Sequence, residues 1–163
     1  MSRLPSLGSR GEGWVALQAG LLFLIAVGGR FGPSISIADP TLASALVGAG
    51  WLLVAAAGAL LVSSIALLSN ARSFTVMPRP IETGSLVESG PYAFIRHPVY
   101  SALVLGGLGL TLVRLSWPTL ILTVALLVVL DAKRRSEEAW LVERYPRYAD
   151  YRRRTKALVP LLY

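Results

Sequence analysis

Thirty-two consecutive residues, Pro40–Ala71, carry no charged side chain. Within them the apolar run Leu42–Leu68 makes a helix of about 40 Å at about 1.5 Å per residue. That exceeds the roughly 30 Å of a bilayer's hydrocarbon, so the run reads as a transmembrane helix. Three more charge-free stretches accompany it: Gly13–Gly29, His97–Val113 and Leu115–Leu130. Placing the N-terminus in the cytoplasm and letting each stretch cross once puts fourteen of the sixteen Lys and Arg residues on one side; only Arg30 and Arg114 fall on the other. The positive-inside rule favours that topology, with both termini cytoplasmic in an integral protein of the cytoplasmic membrane. A hydrophobic share of 54% and a mean hydropathy of +0.59 agree. The net charge of +7 is then accounted for by sorting across the membrane, which argues against a nucleic-acid surface.

The expected fold is all-α and integral to the membrane. It is a single domain over residues 1–163 with spans at about 14–29, 42–68, 98–113 and 118–131. The last two spans form a C-terminal helical hairpin turning at Arg114–Pro118, and residues 132–163 form a cytoplasmic tail. Met1–Gly13 reads as loose. A basic start before an apolar run also suits a signal peptide, but no small-residue cleavage site precedes Arg30, so Trp14–Gly29 reads as a retained helix. Each hairpin arm has an apolar core of only about 20–24 Å. Gly106, Gly107 and Gly109 suit close contact between the arms. No proline or glycine interrupts the chain from Ala132 to about Tyr145, so the second arm should continue into the cytoplasm until Pro146 stops it. Between the second and third spans, Pro78, Pro80, Gly84, Gly90 and Pro91 break the chain into a long loop.

There is no cysteine, which removes disulfides, a thiolate nucleophile and Cys-based metal sites, and the lone His97 leaves no basis for a His-rich metal site. His97 stands in Gly90–Ala102, GPYAFIRHPVYSA. Pro98 suits the first turn of a helix, because its missing N–H has no partner to lose there. His97 and Tyr100, three apart, share a face of that turn. Taken alone, His97 reads as a plain helix cap or a membrane-surface residue. Glu137 and Glu138 lie some forty residues on, and taken alone they are surface partners of Lys133 and Arg134. Trp140, Tyr145, Tyr148 and Tyr151 read as an interfacial aromatic belt.

The RHPxY segment, the paired glutamates and the Tyr-rich basic tail, over roughly Leu86–Arg153, together resemble the isoprenylcysteine carboxyl methyltransferase and phospholipid methyltransferase family. The resemblance implies an integral-membrane enzyme that uses S-adenosylmethionine, with a cytoplasmic loop and C-terminal helix capping the cofactor site. By resemblance, cofactor contact falls to Leu86 and Val87 through their backbone, to Tyr92, His97, Pro98, Val99 and Tyr100, and to Glu137 with its neighbour Glu138. His97, Tyr100 and Arg134 form the implied catalytic set, and Lys133 fits the basic position before the glutamates as well as Arg134 does. Ala102 stands where the family often has glycine. The segment Glu143–Tyr148 lacks the family's usual glycine and is one residue short. The implied partners are membrane lipids and a lipophilic acceptor with a carboxylate, phenol, thiol or amine head. The competing readings are an NADPH-dependent membrane reductase of the steroid-reductase type and a non-catalytic membrane scaffold.

Overall fold

The computed structural model describes residues 8, 11–28, 31–79 and 83–158. The expected loose N-terminal residues 1–7, the Gly29–Arg30 break, Pro80 and the last five residues of the tail lie outside the described residues. Within them the chain is all-helical: α1 (Glu12–Gly28), α2 (Pro40–Asn70), α3 (Pro98–Arg114), α4 (Trp117–Arg144), α5 (Tyr148–Arg154) and a 3-10 turn at Gly90–Ala93.

The helix starts follow from local chemistry. Asp39 accepts hydrogen bonds from the N–H groups of Thr41 (2.8 Å) and Leu42 (3.4 Å), and Pro40 opens α2. Ser116 caps α4 by accepting from Thr119 N–H at 3.3 Å, with Pro118 in the first turn. Pro98 opens α3, and His97 occupies the cap position without a side-chain cap bond. Its ring is therefore left for other partners. α3 ends where Leu115 turns left-handed, at φ 45°.

α1 packs on α4, α4 on α3, and α3 on α2, the last pair most extensively. The α2–α3 contact is backbone against backbone. A Cβ on Gly50 would lie 2.7 Å from the Gly109 carbonyl oxygen, and one on Gly109 would lie 2.8 Å from the Gly50 oxygen. Gly107 gives the hairpin a close contact of another kind, against the Thr123 side chain. Of the three hairpin glycines, only Gly107 meets the other arm; Gly106 and Gly109 face α2. Ile25, Tyr100, Leu126 and Leu130, with Ala157 and Leu158 from the tail, form the buried apolar cluster.

The two ends of the bundle differ. At one end Arg114 reaches back to the Ile25 and Ala26 carbonyls, satisfying the open end of α1, and Ile35 N–H bonds the Leu115 carbonyl at 2.5 Å. At the other end lie the 71–97 loop, the charged half of α4 and the tail. Between the ends the outer faces are apolar, with Leu52, Val62, Phe23, Ile121 and Val128 each more than three-fifths exposed. α2, at 31 residues, is the one helix among the described residues long and apolar enough to cross a membrane; α1 and α3 are shorter apolar helices. An uncharged apolar surface of this extent fits lipid rather than water.

Candidate functional site

At the charged end the chain encloses an open cleft of about 820 Å³, part of it continuous with solvent. The start of α3 contributes His97, Val99 and Tyr100, and α4 contributes Glu137 and Leu141. Loop segments 73–75 and 85–87 and the 3-10 turn's Tyr92 form a second wall, and Tyr145, Tyr148 and Tyr151 close it.

Two long-range pairings hold this wall. Arg96 N–H bonds the Lys156 carbonyl (2.8 Å), Lys156 N–H bonds the Phe94 carbonyl (3.1 Å), and His97 N–H bonds the Ala157 carbonyl (3.1 Å). The tail thus runs alongside the approach to His97 like an added strand. Ser73 Oγ donates to the Ser85 carbonyl (2.6 Å), tying the two loop segments together. Lys133, 2% exposed, donates to Gln18 Oε1 (2.7 Å) and the Val76 carbonyl (3.1 Å), and its ammonium lies 5.2 Å from the Tyr100 ring centre. Burial pushes its pKa down, with the Glu137 charge working against that.

The adjacent glutamates part company. Successive helical residues point about 100° apart. Glu137 faces the cleft and accepts from the Tyr100 hydroxyl at 2.7 Å, with His97 Nδ1 at 3.7 Å. Glu138 is buried behind it, accepting from Arg96 Nε at 2.9 Å, with His97 Nε2 at 3.2 Å. Arg134 and Arg152 stand 3.7 and 3.6 Å from the same carboxylate. Burial drives the Glu138 carboxyl upward. The hydrogen bonds and positive charges of His97 and Arg96 outweigh burial and hold it at about 2. The His97 ring stacks on Tyr100 with centroids 5.3 Å apart. His97 is therefore oriented from three sides: by Glu138 at Nε2, by Tyr100 on its face, and by the tail through its backbone.

Of the residues singled out in the sequence, Leu86, Val87, Tyr92, His97, Val99, Tyr100 and Glu137 line the cleft. Pro98, Glu138 and Arg134 do not. Pro98 is fully buried where it starts α3. Glu138 is turned inward to three cationic side chains and His97, and Arg134 is bonded to Asp131 at 2.6 Å on the far side of Glu138. Lys133 is buried against α1 and the loop instead of standing at the mouth. The expected aromatic belt also gives way. Tyr148 and Tyr151 are 1% and 2% exposed, Tyr151 donates to the Tyr92 carbonyl (2.7 Å), and Tyr145 donates to the Gly84 carbonyl (3.0 Å). Their spacing of three residues was the available signal, since it places Tyr148 and Tyr151 on one face of a short helix. Ser73, Phe74 and Thr75 had no such signal.

Tyr148 lines the cleft, and its hydroxyl is buried without a hydrogen-bond partner among the described residues. Burial first, then the Glu138 and Glu137 charges, push its pKa well up, so it remains a donor. A buried unpaired donor costs about 1–3 kcal/mol, and a ligand in the cleft would relieve that cost. A carboxylate, an unpaired phenol, stacked aromatic rings and the loop backbone at Leu86–Val87 suit a cofactor with an ammonium, hydroxyls and a sulfonium. The donor set fits S-adenosylmethionine.

A family model described as phospholipid methyltransferase matches residues 46–148. The cobalt-zinc-cadmium resistance protein CzcN of Cupriavidus metallidurans is 39% identical over 82 residues, 50% of this chain and 38% of that protein. The nickel-cobalt-cadmium resistance protein NccN of Alcaligenes xylosoxydans xylosoxydans is 38% identical over 78 residues, 47% of this chain and 37% of that protein. The matched part thus spans less than two-fifths of either relative. No solved structure matches the chain.

Proposed function

Because the chain belongs to the phospholipid methyltransferase family, we propose that it is a membrane-embedded methyltransferase moving a methyl group from S-adenosylmethionine to a lipid-like acceptor. In this reading α1, α2, α3 and the apolar half of α4 all cross the membrane, and the cleft opens at the cytoplasmic face. The observation that carries the reading is the meeting of His97, Tyr100 and Glu137 in one cleft beside an unpaired Tyr148 hydroxyl.

S-adenosylmethionine supplies a methyl group already activated on a sulfonium. The chain's residues then bind, align and exclude water. Glu137 pairs with the cofactor's ammonium or ribose hydroxyls, steadied by Tyr100. The Leu86 and Val87 backbone and the Tyr148 hydroxyl hold polar edges, and the tyrosine rings favour a sulfonium through their faces. A carboxylate acceptor arrives ionised and needs no base. For a phenol or amine head, His97 Nδ1 takes the proton while Nε2 stays bonded to Glu138. The acceptor's hydrophobic tail lies in the bilayer and enters between α2 and the α3–α4 hairpin.

The relatives' names concern metal resistance. Among the described residues no three His, Cys, Asp or Glu side chains gather as metal ligands. The test is a radiolabelled S-adenosylmethionine assay on total membrane lipid extract, with the product identified by mass spectrometry. Thermal-shift titration of the solubilised protein with S-adenosylmethionine, S-adenosylhomocysteine and NADPH accompanies it. Stabilisation by NADPH alone would favour a reductase and end this reading; no response to any of the three would favour a scaffold.

A further inference from the structure

Behind the cleft, on the outer side of Glu138, lies a second hollow of about 690 Å³, part of it open to solvent. Arg96, Arg134, Arg152, Arg153, Arg154 and Lys156 surround it. Its floor and rim differ in kind. The floor is the side chains of Arg96 and Arg134, only 9% and 8% exposed, while Arg152, Arg153 and Arg154 at the rim are 50%, 77% and 59% exposed. Arg96 is further fixed by bonds to the Arg152 carbonyl (3.2 Å) and to the Thr155 carbonyl. The floor is therefore preset and the rim free to adjust.

The lining is strongly cationic, and one buried carboxylate, Glu138, lies within reach of Arg96, Arg134 and Arg152 at once. Arg153 pairs with Asp150 and Arg154 with Glu88. Solvated charges at a membrane face need neither concavity nor buried guanidinium groups. A planar guanidinium fork matches the tetrahedral oxygens of a phosphate.

We propose that this hollow binds a phosphate-bearing group, on the opposite side of the Arg96–Glu138 pair from the cleft. A phospholipid headgroup and a free phosphate ester share that chemistry. The site is separate from that of the methyl acceptor, and the proposal does not depend on what the cleft does.

The test uses the full chain in nanodiscs. One arm titrates inorganic phosphate and glycerol 3-phosphate into protein held in phosphatidylcholine and follows thermal unfolding. The other places the protein in mixed phosphatidylcholine and phosphatidylglycerol and counts retained lipid by native mass spectrometry. Two single-charge variants are compared: Arg152→Gln at the rim and Arg135→Gln outside the hollow. The expected result is affinity lowered about tenfold by Arg152→Gln, the scale of one charge-assisted contact, with Arg135→Gln like the parent. Soluble phosphate binding without selective lipid retention identifies a free phosphate ester; selective retention of phosphatidylglycerol identifies the headgroup. Equal effects of the two variants would mean general surface charge, and no binding in either arm would mean an empty hollow. Either result overturns the proposal.

Discussion

Replacing Glu138 by glutamine tests the central electrostatic claim. The change keeps the shape and removes the charge that holds Arg96 and His97. In the folded protein the Glu138 carboxyl is held at about 2, against an ordinary 4.5. At about 1.36 kcal/mol per pH unit, that difference makes the ionised form worth about 3 kcal/mol of stability. Removing one partner of a buried pair costs a similar amount, about 3–5 kcal/mol. Glu138 lies beyond the apolar half of α4 and its side chain is 5% exposed, so little of this is screened. Because the folded carboxyl sits below its unfolded value, its contribution is complete above about pH 4.5 and fades as pH falls through about 2. Unfolding of the detergent-solubilised protein, followed across pH, should show Glu138→Gln less stable by about 3 kcal/mol at pH 7. The parent should lose that margin between about pH 4.5 and 2, while the variant should be flat over that window. Equal stabilities at pH 7 would show that Glu138 does not carry the cluster, and the account of how His97 is oriented would fail with it.

Its neighbour should behave oppositely. Glu137→Gln removes the charge at the cleft edge and leaves the Tyr100 hydroxyl an amide oxygen to donate to, so stability should change by no more than about 1 kcal/mol while S-adenosylmethionine binding is lost in a calorimetric titration. His97→Ala should abolish labelling of lipid with expression and membrane insertion intact; normal turnover would remove His97 from the site. Tyr148→Phe deletes a hydroxyl with no hydrogen-bond partner among the described residues, so unfolding should be unchanged or slightly improved, with cofactor affinity about tenfold weaker. On α2, Gly50→Ala drives a methyl into the Gly109 carbonyl at 2.7 Å and should cost about 1–3 kcal/mol. Gly58→Ala meets nothing within 4 Å and should be neutral or better, which thermal unfolding of the pair would check.

The helical parts of this structure could be read from the chain because their signals are local. Pro98 and Pro118 mark helix starts, Pro146 follows a helix end, and the charge-free runs match α1, α2 and α3 to within about two residues, while α4 runs on past Leu130 to Arg144. The cleft was legible where RHPxY and Glu137 carried it. What escaped was set by partners distant in sequence. Nothing in a Glu–Glu pair says which member turns inward; the buried Arg96 and His97 decide it. The tyrosines of the tail read as surface residues until residues 155–158 pair with 94–97 and draw α5 over the cleft. Gly109 looked like a hairpin contact, but the carbonyl it must clear belongs to α2.

That late pairing has a consequence for biosynthesis. When His97 is synthesised, the segment that aligns its approach, Lys156 and Ala157, is still about sixty residues from being translated. The helices can pack on one another before the cleft is complete. A nascent chain stalled short of Thr155 would hold its bundle yet lack the strand that fixes the approach to His97.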